Sequence, residues 1–185
     1  MRVHIQAGDI HLLDLRTRMP FKYGIATMTH TPHAFVRLWV EVRGQPAVGV
    51  AADHLPPKWF TKDPARPVEE ETHEMLRVIE NALRLAGGVR GDTPFDASSA
   101  VSRSQESWGS KAGLPPLLTQ FGSSLVERAV IEATCRATGR CFDELLRETS
   151  AFGPRNLKAL SLGEWLPPTP LTRITVRHTI GSLTL

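Results

Sequence analysis

Two stretches of the chain concentrate side chains able to do chemistry. The first, Arg18 to His33, carries Lys22, Tyr23, Thr27 and Thr29. An ammonium and three hydroxyls suit a carboxylate or a polyhydroxylated ligand, since the ammonium donates to an anion and hydroxyls both donate and accept. The second, Asp53 to Asp63, carries Asp53, His54, Lys58 and Trp59. An acid beside an imidazole, followed by an ammonium and an indole, could grip the same kind of molecule. Each stretch also has a plainer reading. The first is equally a solvated loop with Tyr23 packed over the core. In the second, Pro56-Pro57 stiffens the loop and Trp59-Phe60 fill an apolar seam.

Other constellations are weaker. His30 and His33 are three apart, but Pro32 intervenes and no third fixed ligand is near, whereas zinc takes three or four protein ligands. Cys135 and Cys141 form neither a redox pair nor half of a zinc site and read as small packing residues. Arg128, Glu132 and Arg136 follow at i, i+4 spacing, the pattern of surface ion pairs on a helix. Gly87-Gly88-Val89-Arg90-Gly91 lacks the Lys-Ser/Thr ending of a phosphate loop.

The elements that must position these residues follow from composition and periodicity. The 185 residues suit one domain with a small appendage, and 41% hydrophobic content supplies a core. A net charge of +3 with no Lys/Arg block and no nucleic-acid motif gives no reason to expect nucleic acid as a partner. No apolar run is long enough to span a bilayer, and the N-terminus lacks a signal-peptide stretch, so the expected compartment is the cytoplasm. Two cysteines make no disulfide scaffold.

Ala34 to Arg43 alternates with period two and reads as a half-buried strand. Gly44-Gln45-Pro46 is turn chemistry, and Val48, Val50 and Ala52 alternate again, so the two runs form an antiparallel hairpin. With the β-favouring residues before Thr17, they predict a three-stranded meander. In a meander, the loop before strand two and the loop after strand three lie at the same end of the sheet, so the two chemical stretches should converge. Helices follow: one from Pro67 with apolar positions at Met75, Leu76, Ile79, Ala82 and Leu83, a Ser-rich one over Phe95–Trp108, a strong one over Ser123–Thr138 capped by Ser123 or Ser124, and a short one over Phe142–Arg147. Residues 154–172 read as a Pro-containing linker, and Arg173–Leu185, with His178, as a lone strand. Strands followed by helices define an α+β domain over residues 1–153.

Several segments carry a resemblance: Arg18-Met-Pro-Phe-Lys-Tyr-Gly24 with Ile25-Ala-Thr27, Pro32-His-Ala-Phe-Val-Arg-Leu38, Gly49-Val-Ala-Ala-Asp-His-Leu55, and Ser124 to Ala133 followed by Gly139 to Leu146. Together with the element order, they resemble the N-terminal capping domain of the enolase superfamily, in its mandelate racemase/muconate lactonizing enzyme group. One departure is Arg147-Glu148, where many members have a glycine pair.

The resemblance implies a cap that closes over the mouth of a (β/α)-barrel, with its two loops shaping specificity. It implies that the barrel supplies three carboxylates binding Mg²⁺ and the Lys or His bases that remove a proton alpha to a substrate carboxylate; the cation stabilises the enediolate left behind. On this reading the partners are a barrel domain and a small carboxylate or sugar acid held at Lys22, Tyr23, Thr27, Thr29, Asp53, His54, Lys58 and Trp59. The family is commonly oligomeric. A barrel needs about 250 residues, and residues 173–185 suffice for one barrel strand, so the expectation is a cap without catalytic residues or bound cofactor, inactive alone as a racemase, dehydratase or cycloisomerase. The alternatives are a non-catalytic module that binds a small acid or a protein through the same loops, and a decayed gene product.

Overall fold

The computed structural model describes residues 1–23, 25–147, 167, 169 and 171–177. Its described residues build a four-stranded antiparallel sheet with helices on one face, in the order β3-β2-β1-β4. The strands are β1 (Val3–Tyr23), β2 (Ala26–Val42), β3 (Gln45–His54) and β4 (Arg90–Gly91); the helices are α1 (Val68–Ala86), α2 (Pro94–Lys111), α3 (Pro116–Thr138) and α4 (Phe142–Arg147). The α+β meander followed by helices stands as expected. The fourth strand was not anticipated: it is two residues long, pairing Val3 with Gly91 and His4 with Arg90, too short for any periodicity to announce.

The alternation in β2 does what its pattern requires. Ala34, Val36, Leu38, Val40 and Val42 are buried under the helices, while Phe35, Arg37, Trp39 and Glu41 lie on the outer face. The β2–β3 turn sits one residue earlier than its Gly-Gln-Pro composition suggests. Val42 pairs with Gln45, and both Arg43 (φ 53°) and Gly44 (φ 80°) are left-handed, the two-residue turn that matches strand twist.

In β3 the small residues face inward. A Cβ on Gly49 would lie 1.9 Å from the Ala129 carbonyl of α3, so backbone approaches backbone there, and Val48 and Val50 are pushed to the outer face. Glu132 accepts from the Val50 N–H at 2.9 Å, satisfying a donor on the edge of this strand, while its other oxygen takes the Arg136 guanidinium. The Arg128-Glu132-Arg136 series thus clamps α3 to β3 as well as forming surface pairs.

Residues 18–33 correct the sequence reading most. They are not a loop: β1 and β2 run on as a hairpin to the pair Tyr23–Ala26, with a register shift between Arg16 and Phe21. Thr17 bridges that shift, donating to the Met28 and Thr29 carbonyls. This outer part projects past the helices, and Leu12, Leu13, Met19, Phe21 and Ile25 are each more than half exposed.

The third helix starts at Pro116, seven residues before the expected cap. Ser123 and Ser124 lie inside it and donate back to the Gln120 and Phe121 carbonyls, while Pro115 and Pro116 open it. Gly139, left-handed at φ 64°, closes it as expected. Fully buried Gln105 holds three helices together: its amide donates to the Val78 and Thr119 carbonyls at 2.8 and 3.1 Å, and its carbonyl accepts from Asn81 at 2.7 Å. Residues 173–177 are exposed and carry no strand pairing; most of the expected linker and the rest of the expected strand, His178 included, lie outside the described residues. Among the described residues, no helix is long and apolar enough to cross a membrane.

Candidate functional site

The meander argument requires the two chemical stretches to meet, and they do. Tyr23, at the end of β1, stacks on Trp59 with ring centroids 5.9 Å apart and planes 13° from parallel, and Phe21 stacks on the other side of Tyr23 at 6.2 Å. Trp59 belongs to a 3-10 turn, Pro57–Trp59, that follows β3. The turn is seated by backbone bonds: the Leu55 N–H donates to the Pro32 carbonyl at 3.0 Å, and the Thr31 hydroxyl donates to the Leu55 carbonyl.

Beneath the stack lies a buried ion pair. Lys58 Nζ is 2.5 Å from Glu71 Oε2, with side chains 5% and 1% exposed. The remaining ammonium donors go to the Asp63 and Arg66 carbonyls at 2.6 and 3.0 Å, and Thr61 donates to Glu71 Oε1 at 2.6 Å. Burial, and then the Glu71 charge, raise the Tyr23 phenol above its ordinary pKa, so it stays a neutral donor.

A cleft of about 400 Å³ opens between the β2 end of the hairpin, residues Leu55–Pro57 and the first turns of α1. Its polar lining is Tyr23, Thr27, Thr29, His30, Thr31, Thr72 and His73, together with the carboxylate of Glu69. The His73 ring is 2.7 Å through Nδ1 from the Glu69 carbonyl; since a carbonyl only accepts, Nδ1 donates to it and Nε2 is the ring nitrogen not used in that bond. Hydroxyls and imidazoles, with the one carboxylate of Glu69, against an apolar floor that includes Leu55 and Leu76 are suited to a small polar organic ligand.

The eight residues singled out in the sequence separate into groups. Tyr23, Thr27 and Thr29 line the cleft. Lys22 is exposed, opposite Thr27 in the ladder, and Trp59 contributes through its stack on Tyr23. Asp53 turns to the helix side and binds Arg128 at 2.8 Å. His54 lies on the outer face against His33, their Nδ1 atoms 2.8 Å apart. Lys58 is held by the ion pair and two carbonyls, with no donor left for a ligand. His73 and Thr72 were missed, and His30 was weighed only as a metal ligand. The usable signal was the polar stripe Glu69, Thr72, His73 at i, i+3, i+4 on α1.

Comparison with known proteins agrees with this architecture. No protein-family model and no curated protein sequence matches the chain. Among solved structures, an enolase from an alphaproteobacterium (bal199) with bound Mg matches with TM-score 0.54 and 16% identity over 78% of this chain. An enolase from Bradyrhizobium complexed with magnesium and mandelic acid matches with TM-score 0.51 and 11% identity over 79%. A mandelate racemase/muconate lactonizing enzyme-like protein from Rubrobacter xylanophilus matches with TM-score 0.50 and 17% identity over 77%.

The chain spans about a third of the length of each: 34%, 35% and 33%. Its fold is therefore one that enolase and mandelate racemase-like proteins carry in part of their length. Magnesium is bound in two of these structures; among the described residues here, no three His, Cys, Asp or Glu side chains are grouped so that they could hold a metal ion.

Proposed function

We propose that the chain acts as the capping domain of an enolase-superfamily enzyme, closing over a separate (β/α)-barrel and helping to select a small carboxylate or sugar acid. The barrel would supply the magnesium and the bases for proton abstraction, and the cap would supply shape and hydrogen bonds; the 185-residue chain alone turns over no such acid. The observation that carries this reading is the convergence of the hairpin end and the post-β3 turn through Tyr23 and Trp59, beside a cleft walled by Thr27, Thr29, His30 and His73. A hydroxy acid needs groups that donate and accept at several points, and hydroxyl and imidazole side chains do both. The fold likeness to one third of the length of longer proteins supports the lid role.

Titration of the full chain with mandelate and with aldonic acids, followed by calorimetry, tests this. Wild type is expected to bind at least one such acid, and Thr27→Val/Thr29→Val to bind it about tenfold more weakly, the scale of one lost polar contact per site. Equal affinity in both proteins, or turnover by the chain alone, would overturn the reading.

A further inference from the structure

The sequence separates His33 and His54, but the sheet makes them direct cross-strand partners, midway along β2 and at the last residue of β3. Their Nδ1 atoms lie 2.8 Å apart on the outer face, away from the cleft. The His33 ring and the His54 backbone are each held by a further contact. His33 packs edge-on against Phe35, with ring centroids 4.8 Å apart and planes at 73°. The His54 N–H donates to Asp53 Oδ1 at 2.9 Å, and Asp53 is anchored to α3 by Arg128. The ladder continues past the pair through the bond from Leu55 to Pro32.

Two imidazoles in this arrangement can share one proton, or they can present two lone pairs to one cation. The distance is informative. With metal–imidazole bonds of about 2.0–2.1 Å, nitrogens 2.8 Å apart subtend about 85–90° at a common ion. A tetrahedral ion would need them about 3.3–3.4 Å apart with the same bond lengths. A right-angle bite fits neighbouring positions of a tetragonal ion, the geometry of Cu(II) and Ni(II), and Cu(II) binds nitrogen ligands most tightly in the divalent series.

We propose that His33 and His54 form a two-imidazole chelate for a tetragonal divalent ion, Cu(II) before Ni(II), with the remaining coordination positions open to water. It stands independently of the cap reading, because the pair faces away from the cleft.

Equimolar Cu(II) added to the full 185-residue chain, read by electron paramagnetic resonance and by competition titration, tests it. The expected result is one tightly held ion with a two-nitrogen hyperfine pattern, preferred over Zn(II). His33→Ala and His54→Ala should each weaken it by about tenfold or more, the scale on which even an outer partner of a metal ligand matters. His4→Ala, far along β1, should leave it unchanged. Copper bound equally by the His33 or His54 variants, preference for Zn(II), or no copper bound at equimolar concentration would overturn the proposal and leave a simple hydrogen-bonded histidine pair.

Discussion

Tyr23 and Trp59 stack nearly parallel, and that contact joins the far end of the β1–β2 hairpin to the turn that follows β3. The rings at the contact are themselves open to solvent: Trp59 is 61% exposed and Phe21 51%. The stack adds to the Leu55–Pro32 and Thr31–Leu55 hydrogen bonds that fix their relative position. A double-mutant cycle of Tyr23→Ala and Trp59→Ala in urea unfolding should give a coupling energy of about 0.5–1.5 kcal/mol. Additive losses would mean that the two segments do not meet.

Lys58 and Glu71 form an ion pair in the interior, and breaking such a pair strands a charge. Lys58→Met alone should cost about 3–5 kcal/mol. Lys58→Met combined with Glu71→Leu should recover most of it, because two apolar side chains replace two desolvated charges. Urea melts of the three proteins decide this. A Lys58→Met variant as stable as wild type, but weaker for an acid ligand, would instead return Lys58 to the cleft as a binding residue.

Gly49 marks the closest approach of β3 and α3. Gly49→Ala places a methyl group against the Ala129 carbonyl and should destabilise by at least about 2 kcal/mol, within or above the usual cost of overpacking. Thermal melts against a Gln45→Ala control on the exposed start of β3 measure the difference. A small loss at Gly49 would show that α3 can back away from the sheet.

His33 gives the pH dependence its sign. Its folded pKa lies below the ordinary 6.5, through burial first and the His54 ring second. The unfolded chain therefore takes up that proton more readily, and protonation favours unfolding. The stabilising contribution is complete above 6.5 and is lost as pH falls through 6.5 toward the lower folded value. Urea unfolding between pH 8 and pH 5 should show stability falling with acid, and the fall should be shallower in His33→Asn. Identical slopes in the two proteins would contradict the assignment.

The parts of the fold readable from sequence are those where one face is wet and the other dry. Ala34 to Val42 alternates because α1 and α3 cover one side of the sheet and leave Arg37 and Trp39 on the other. The short helix Phe142–Arg147 and the Gly139 stop were readable from local chemistry. Residues 18–31 gave no such pattern. There the hairpin faces a polar cleft and solvent rather than a dry core, so side chains carry no period, and backbone pairing makes the strands. Ser123 and Ser124 looked like caps because serines compete for backbone bonds. Inside α3 they satisfy that tendency by bonding the preceding turn.

The site was readable in the same uneven way. Convergence follows from meander topology alone, and Tyr23, Thr27 and Thr29 line the cleft that it creates. The commitment of Lys58 depends on Glu71, thirteen positions along the chain, and the polar wall from α1 depends on which groove His73 faces. Neither follows from spacing, because periodicity reports burial and not the identity of the neighbour across a gap.

The central claim is that the acid-binding surface of this chain is the cleft between the hairpin end and α1. Backbone amide shifts of the full chain, recorded by NMR as mandelate and an aldonic acid are added, locate that surface directly. The expected result is saturable shifts at residues 23 and 26–31, at Leu55, and at 68–76 near Thr72 and His73. Shifts confined to other surfaces, such as the serine-rich groove between α2 and α3, or no shift with either acid, would contradict it.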